Sequence, residues 1–135
     1  MSVLNKKKHE VLLNKYPKIF AQYTLPPSRT AMCWGLECGE GWYPMIDALC
    51  SDIQRYIDNT PGVEQIEATQ VKQKFGTLRF YYGPYNKVLD ELIWEACSKS
   101  GEICECCGST EDIEMTKGWV QPLCPKCMKK YMERK

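Results

Sequence analysis

The sequence has little of what usually reveals an enzyme. Its 135 residues include one histidine, His9, which lies in a lysine-rich segment and is expected to be exposed to solvent. No catalytic triad can be assembled around that imidazole, and no P-loop or Rossmann glycine pattern occurs. The sequence therefore disfavours an enzyme and favours a binding protein.

An excess of one charge and long apolar runs are also missing. The chain has 18 Lys and Arg residues against 17 Asp and Glu residues, a formal net charge of +1. A general polyanion binder needs a larger excess, so any basic surface must be local. The apolar stretch at residues 11–13 is too short for a secretory signal, and no run approaches membrane-spanning length. We expect a cytoplasmic protein with no membrane partner.

Cysteine, by contrast, is abundant. An odd count of nine without a secretory signal fits reduced thiols in the cytosol better than a disulfide scaffold. Two pairs near the C-terminus read as C-x-x-C, with sixteen residues between Cys107 and Cys124. Two such knuckles supply four thiolates for a tetrahedral zinc ion. The predicted ligands are Cys104, Cys107, Cys124 and Cys127.

Four protein ligands leave no open position for water or substrate, so we expect one structural Zn²⁺ and no zinc catalysis. Gly108, directly after the second cysteine, suits a tight knuckle because glycine accepts φ > 0. Two alternatives remain open. Cys106 could replace Cys104 in a C-x-C arrangement, and the remaining cysteines could form a second metal site. These are Cys33, Cys38, Cys50 and Cys97.

Apolar spacing and the positions of Pro and Gly predict an α+β fold. The expected order is α-α-β-β-α followed by a zinc ribbon. Helices are expected at residues 5–16, 44–59 and 85–100, and residues 17–43 are expected to form a loop.

Two expectations concern the strands and the domains. Residues 64–74 and 77–82 are expected to pair as an antiparallel hairpin. Residues 1–101 are expected to form the core domain. Residues 102–135 are expected to form a zinc-ribbon-like module with a short basic C-terminal helix.

The hairpin register decides which side chains share a face. A two-residue turn at Phe75 and Gly76 separates apolar from charged residues, whereas a three-residue loop mixes them. Phenylalanine at a position with φ > 0 counts against the first register, which we favour for its cleaner separation. Its inner pairs are Val71–Phe80, Gln73–Leu78 and Thr69–Tyr82. Its outer pairs are Lys72–Arg79, Lys74–Thr77 and Gln70–Tyr81.

The outer face of this hairpin indicates a ligand. Lys72 and Arg79 are directly opposed like charges, which destabilise a sheet unless carboxylates or a bound anion compensate. Arg79 can hold a phosphate with two parallel hydrogen bonds, Lys72 and Lys74 add point charges, and Tyr81 adds a ring. Alternatively, the face is merely solvated, or a nearby carboxylate neutralises it. The candidate carboxylates are Glu40, Glu64, Glu67 and Asp90.

A loop rich in aromatic residues and sulfur precedes the second helix. Trp34, Trp42 and Tyr43 could stack on the planar base of a ligand. Alternatively, they close the core, because a protein of this size needs its large apolar side chains inside.

Four blocks of sequence together resemble a family of small, mostly uncharacterised proteins encoded by tailed phages and prophages. They are CWGLECGEGWY at 33–43, QVKQKFGTLRFYY at 70–82, CECCG at 104–108 and WVQPLC at 119–124. The resemblance spans residues 16–127 and brings no catalytic residues. It implies the cytoplasm of an infected or lysogenic bacterium. It also implies a protein that binds a host component, as phage proteins that sequester cyclic-nucleotide immune signals in basic, aromatic-lined pockets do.

The leading hypothesis is a zinc-stapled, homo-oligomeric binding protein that sequesters a small phosphate-bearing (cyclic) nucleotide of host defence. The expected ligand-binding residues are Lys72, Lys74, Arg79, Tyr81, Trp34 and Trp42. The alternative is a zinc-ribbon interaction module that contacts nucleic acid or a host protein through a basic tail. That tail comprises Lys126, Lys129, Lys130, Arg134 and Lys135. A nucleotide hydrolase is a third possibility.

Overall fold

The computed structural model describes residues 3–133, with side chains from Lys8 onward. Within that range four helices and two small sheets form an α+β fold, as the sequence predicts. The helices are α1 (Val3–Lys15), α2 (Tyr43–Asn59), α3 (Lys87–Ser100) and α4 (Pro125–Glu133). The strands are β1 (Leu36–Glu37), β2 (Glu67–Lys74), β3 (Thr77–Gly83), β4 (Glu114–Met115) and β5 (Pro122–Leu123).

The helices begin and end close to the predicted residues, for local reasons. Pro44 lies in the first turn of α2, where its missing N–H costs nothing. The side chain of Asn86 caps α3 by accepting a hydrogen bond from the Leu89 N–H at 3.0 Å. Apolar residues at helical spacing, such as Ile46 and Ile53 in α2, are fully buried.

The β2–β3 hairpin has the favoured two-residue turn. Phe75 and Gly76 have φ values of 55° and 86°. Five of the six predicted pairs are confirmed, from Gln70–Tyr81 to Lys74–Thr77. The sixth is wrong: Tyr82 pairs with Ala68 and not with Thr69, because a bulge between Ala68 and Gln70 shifts the register.

Strand β1 was not predicted from the sequence. It lies parallel to β2, with Leu36 beside Val71 and Glu37 beside Lys72, and gives the sheet the order β1-β2-β3. One face of this sheet carries buried residues, including Val71 and Phe80, that join the core with α2 and α3. The other face carries the charged residues of the hairpin.

His9 is buried, so the prediction of an exposed histidine is wrong. Its ring lies 6.0 Å from the Tyr23 ring and 6.5 Å from the Tyr43 ring, and its Nε2 accepts the Leu36 N–H at 3.2 Å. A Cβ on Gly35 would lie 1.8 Å from this Nε2. The lysine-rich flank suggested a solvated segment, but α1 directs the His9 side chain inward against β1.

We expect Gly35→Ala to destabilise the fold far more than Gly62→Ala. Both glycines have positive φ, 74° and 85°, but a Cβ on Gly62 meets nothing within 4 Å. Gly62→Ala should cost about 1–2 kcal/mol for the left-handed backbone. Gly35→Ala should lower the free energy of unfolding by about 1–3 kcal/mol more than that, because its Cβ overpacks against His9. Urea unfolding followed by circular dichroism checks this, and equal midpoints for the two variants would contradict the close approach.

We expect stability to fall as the pH drops below 6.5, partly through His9. Burial lowers the pKa of His9 below 6.5, although Glu10 opposes the shift. At lower pH the unfolded chain therefore takes up a proton that the folded chain resists, and the free energy of unfolding declines. Thiol protonation at the cysteines contributes separately, so the comparison is with His9→Gln. That variant should lose less stability between pH 7.5 and pH 5.5, and an unchanged slope would argue against this role.

Candidate metal centre and cationic face

Four cysteine thiols converge near the C-terminus. The Sγ atoms of Cys104, Cys107, Cys124 and Cys127 all lie within 4.8 Å of one another. The first two belong to a tight turn, and the second two lie one helical turn apart at the start of α4. Tetrahedral metal–sulfur bonds of about 2.3 Å would space the sulfurs by about 3.8 Å. These four thiols can therefore bind one metal ion after small side-chain movements.

Backbone hydrogen bonds in the metal knuckle (residues 104–108) favour the thiolate form of one predicted ligand, Cys104. Burial raises the pKa of Cys104, but hydrogen bonds from the backbone at Cys124, Cys107 and Cys106 outweigh it and lower the pKa to about 7. Gly108 has φ 87° and donates its N–H to the Cys104 carbonyl at 2.8 Å, as a tight turn requires. The chemistry of the donor set thus fits a structural metal.

The structure decides between the alternative ligands. Cys106 is exposed and lies outside the cluster, so Cys104 is the better placed ligand. Among the side chains described from residue 8 to 133, no second group of three or more ligands lies close enough for a metal. Burial raises the pKa of Cys38 and Cys50 strongly, which keeps both as neutral thiols.

The knuckle packs against the loop at residues 39–42. The Gly41 N–H donates to the Glu105 carbonyl at 2.8 Å, and the Gly39 N–H donates to Glu105 Oε2 at 2.8 Å. The other oxygen of this buried carboxylate, Oε1, accepts a hydrogen bond from Gln73 of β2 at 3.1 Å. Glu105 therefore joins the metal centre to β1 and β2. The division into residues 1–101 and 102–135 stays a prediction.

The cationic face (Lys72, Lys74, Arg79 and Tyr81) forms on the outer side of the hairpin. Lys72 stands opposite Arg79, and these four residues alternate with the buried ones. Among the described residues, no carboxylate lies within 4.0 Å of any of the three cationic groups. The like charges are therefore held together without a direct ion pair.

Strand β1 brings a carboxylate to this sheet that was not predicted from the sequence. Parallel pairing places Glu37 beside Lys72, where its Oε1 accepts a hydrogen bond from Gln70 at 3.3 Å. The proposed carboxylates lie elsewhere: Glu40 is 3.6 Å from Lys8, and Asp90 accepts from the Tyr82 hydroxyl. Of the other two suggested carboxylates, Glu64 precedes β2. Glu67 accepts a hydrogen bond from Gln22. A two-residue strand carries no periodicity by which Glu37 could have been found.

The aromatic residues of the loop at 33–43 have different environments. Trp42 is 0% exposed and donates its indole N–H to the Ile103 carbonyl at 2.9 Å. Its predicted role in stacking on a ligand is therefore wrong, and it closes the core. Trp34 is 64% exposed, at the end of a 3₁₀ turn (Ala31–Trp34). It remains available to a ligand.

A shallow cleft of about 600 Å³ adjoins the cationic face. Tyr81, Gln70 and the exposed Arg29 are among the residues that line it. Arg29 is thus a cation beside Tyr81 that was not predicted from the sequence, since only tertiary packing brings its loop to this cleft. Trp34 is not among the residues that line the cleft.

Two other basic regions are weaker candidates for a phosphate-binding site. A cleft of about 870 Å³ lies between α1, α2 and the knuckle, but its lysines, Lys8 and Lys15, are near Glu40 and Asp47. In α4 the basic residues Lys126, Lys129 and Lys130 are exposed, whereas Arg134 and Lys135 of the predicted tail lie outside the described residues. No helix in the described part of the chain is long and apolar enough to cross a bilayer.

We expect one tightly bound metal ion per chain. Cys124→Ser should abolish binding and cost about 4 kcal/mol, the linkage contribution of a metal at about 1,000 times its Kd. Cys106→Ser is the matched control, because this exposed neighbour is outside the cluster. Elemental analysis of purified protein and urea unfolding with and without chelator measure both effects. Loss of metal from Cys106→Ser but not from Cys124→Ser would reverse the ligand assignment.

Comparison of the chain with family models, curated proteins and solved structures finds no match. The resemblance to small phage-encoded proteins therefore stays a prediction. The observations that bear on function are the geometry of the metal centre and of the cationic face.

Proposed function

We propose that the protein is a zinc-stabilised binding protein that sequesters a phosphate-bearing (cyclic) nucleotide of bacterial host defence. The observation that carries this proposal is the cationic face. Lys72 and Arg79 are opposed like charges with no carboxylate within 4.0 Å, and they lie beside the exposed ring of Tyr81. A bound phosphate would relieve their repulsion.

The chemistry of the face matches both parts of a nucleotide. The planar guanidinium of Arg79 can donate two parallel hydrogen bonds to phosphate oxygens, and Lys72 adds charge without fixed geometry. The ring of Tyr81 lies next to the shallow cleft, where a base can stack on it. Arg29, which lines the same cleft, can contact a second phosphate, and Trp34 is exposed nearby in sequence.

Zinc is the metal that this centre suits best. Four cysteine sulfurs form a soft, closed donor set, which structural zinc sites use and which leaves no position for substrate. The metal then stabilises the knuckle that supports β1 and β2. Its part is structural, and ligand capture belongs to the cationic face.

The proposed setting rests on the resemblance to phage proteins, and a homo-oligomer is part of the same hypothesis. A sequestering protein works in the cytoplasm of the infected bacterium, and release of intact ligand distinguishes it from a nucleotide hydrolase. A homo-oligomer would multiply the cationic faces and raise the avidity for ligands with several phosphates. Native mass spectrometry with a panel of cyclic mono- and dinucleotides reports metal content, oligomer and ligand together.

We expect Arg79→Ala to weaken nucleotide binding by about 10- to 100-fold, because charge-assisted hydrogen bonds are lost. The variant should stay folded and metal-loaded, since it also removes the repulsion with Lys72. Arg55→Ala is the matched control: this exposed arginine on α2 pairs with Asp52 and lies outside the sheet. Wild-type affinity in Arg79→Ala, or equal losses in both variants, would exclude the cationic face as the binding site.

A further inference from the structure

The tip of the β2–β3 hairpin carries an aromatic ring in a conformation that aromatic residues avoid. Phe75 has φ 55° in a turn where Asn or Gly fits without strain. Its side chain is 73% exposed, so packing does not compensate for that strain. A strained and exposed aromatic residue points to a role outside the fold.

A second exposed ring lies on the neighbouring hairpin. Trp119, between β4 and β5, is also 73% exposed. The loop that carries it is fixed, because the buried Thr116 hydroxyl donates to the Trp119 carbonyl and accepts the Gln121 N–H at 3.0 Å. The indole is thus held out in solvent by an ordered turn.

The two turns are in contact. A Cβ on Gly76 would lie 2.7 Å from Met115 Sδ and 3.0 Å from Val120 Cγ1. Phe75 and Trp119 are the chain neighbours of Gly76 and Val120, so the backbone positions that carry the two rings lie close together. We call Phe75, Met115 and Trp119 the aromatic tip; Met115 is also exposed.

Cations accompany the aromatic tip and continue from it along the sheet. The Lys74 Nζ lies 5.6 Å from the centroid of the Phe75 ring, and the exposed Lys117 is near Trp119 in the same turn. Lys72 and Arg79 follow Lys74 on the same face. Residues that share a face repeat every 6.7 Å or so along a strand, so the cations form a row.

We propose that the aromatic tip and the cationic face together bind single-stranded nucleic acid. Phe75, Trp119 and Tyr81 would stack on bases, and the lysines and Arg79 would contact the intervening phosphates. Each nucleotide of a strand brings one base and one phosphate, so a strand that crosses the hairpin can place bases on the rings and phosphates on the cations between them. A bilayer would reach the tip but not the cations along the strands.

This inference rests on the proposed function, because the same cations hold phosphate in both. It adds a ligand class, the oligonucleotide, and a second set of contacts at the tip. The near-neutral net charge fits local binding by a few cations. Contacts from Lys72, Lys74, Arg79 and Lys117 predict a slope of log K against log salt of about −2 to −3.

The test uses the metal-loaded protein and fluorescein-labelled dT12 in anisotropy titrations between 50 and 200 mM salt. Phe75→Asn should weaken binding about 10-fold and keep or raise the urea midpoint, because Asn relieves the strained turn. Trp119→Ala should weaken binding similarly. Trp94→Ala is the matched control: Trp94 is 71% exposed but lies on α3, and its loss should change nothing.

Three outcomes would overturn the inference. The first is that dT12 does not bind. The second is that Phe75→Asn and Trp119→Ala bind dT12 as the wild type does. The third is that Phe75→Asn loses sedimentation with vesicles of 30% phosphatidylserine in phosphatidylcholine while dT12 binding is unchanged, which would make the tip a membrane surface.

The same preparations separate this inference from the proposed function. If cyclic dinucleotides bind and depend on Arg79 while dT12 does not bind, only the oligonucleotide inference fails. If dT12 binds through Phe75 and no cyclic nucleotide binds, the sequestration of a small signal fails and the strand-binding face stands. If neither ligand binds, both fail.

Discussion

The contact between Glu105 and the loop at residues 39–42 is the constraint on which the rest of the structure depends. The backbone and the carboxylate of this one residue bond to Gly41, to Gly39 and to Gln73 of β2. The approach is so close that a Cβ on Gly39 would lie 2.3 Å from the Glu105 carbonyl oxygen. Glu105 also lies within the metal knuckle, between ligands Cys104 and Cys107. Through Glu105 the knuckle, and any metal ion that its thiols bind, helps to position the loop after β1 and the sheet that displays the cationic face.

Features set by local chemistry were predictable from the sequence. The spacing of Cys104 and Cys107 determines a knuckle by itself, and the separation of apolar and charged residues determines the hairpin register. Features set by tertiary packing were not. Strand β1 has two residues and no periodicity, so neither the strand nor the placement of Glu37 beside Lys72 could be anticipated. The burial of Trp42 depends on a carbonyl acceptor 61 residues away, at Ile103. The bulge at Ala68 likewise has no signature in the alternation pattern.

His9 shows how composition can mislead. The lysines that precede it suggest a solvated helix, yet the residue faces inward and accepts the N–H of Leu36 at the start of β1. An imidazole that accepts a backbone hydrogen bond must keep a nitrogen lone pair free, and burial favours the same neutral form. Gly35 gives the ring the space it occupies. The helix α1 is thereby tied to β1 from one side, while the metal knuckle supports the following loop from the other.

Two residues of the β2–β3 hairpin, Phe75 and Arg79, are unfavourable for its stability. Asn in place of Phe75 would suit the turn better, and an acidic residue in place of Arg79 would pair with Lys72. Phe75 and Arg79 both lower the stability of an isolated hairpin. Buried contacts do not compensate for this loss, because both side chains are exposed. The hairpin is stable because Val71, Leu78 and Phe80 are buried on its other face and the β4–β5 segment packs against its turn. An exposed ring and an exposed cation that do not stabilise the hairpin are the basis on which we propose a ligand that combines phosphate with an attached base.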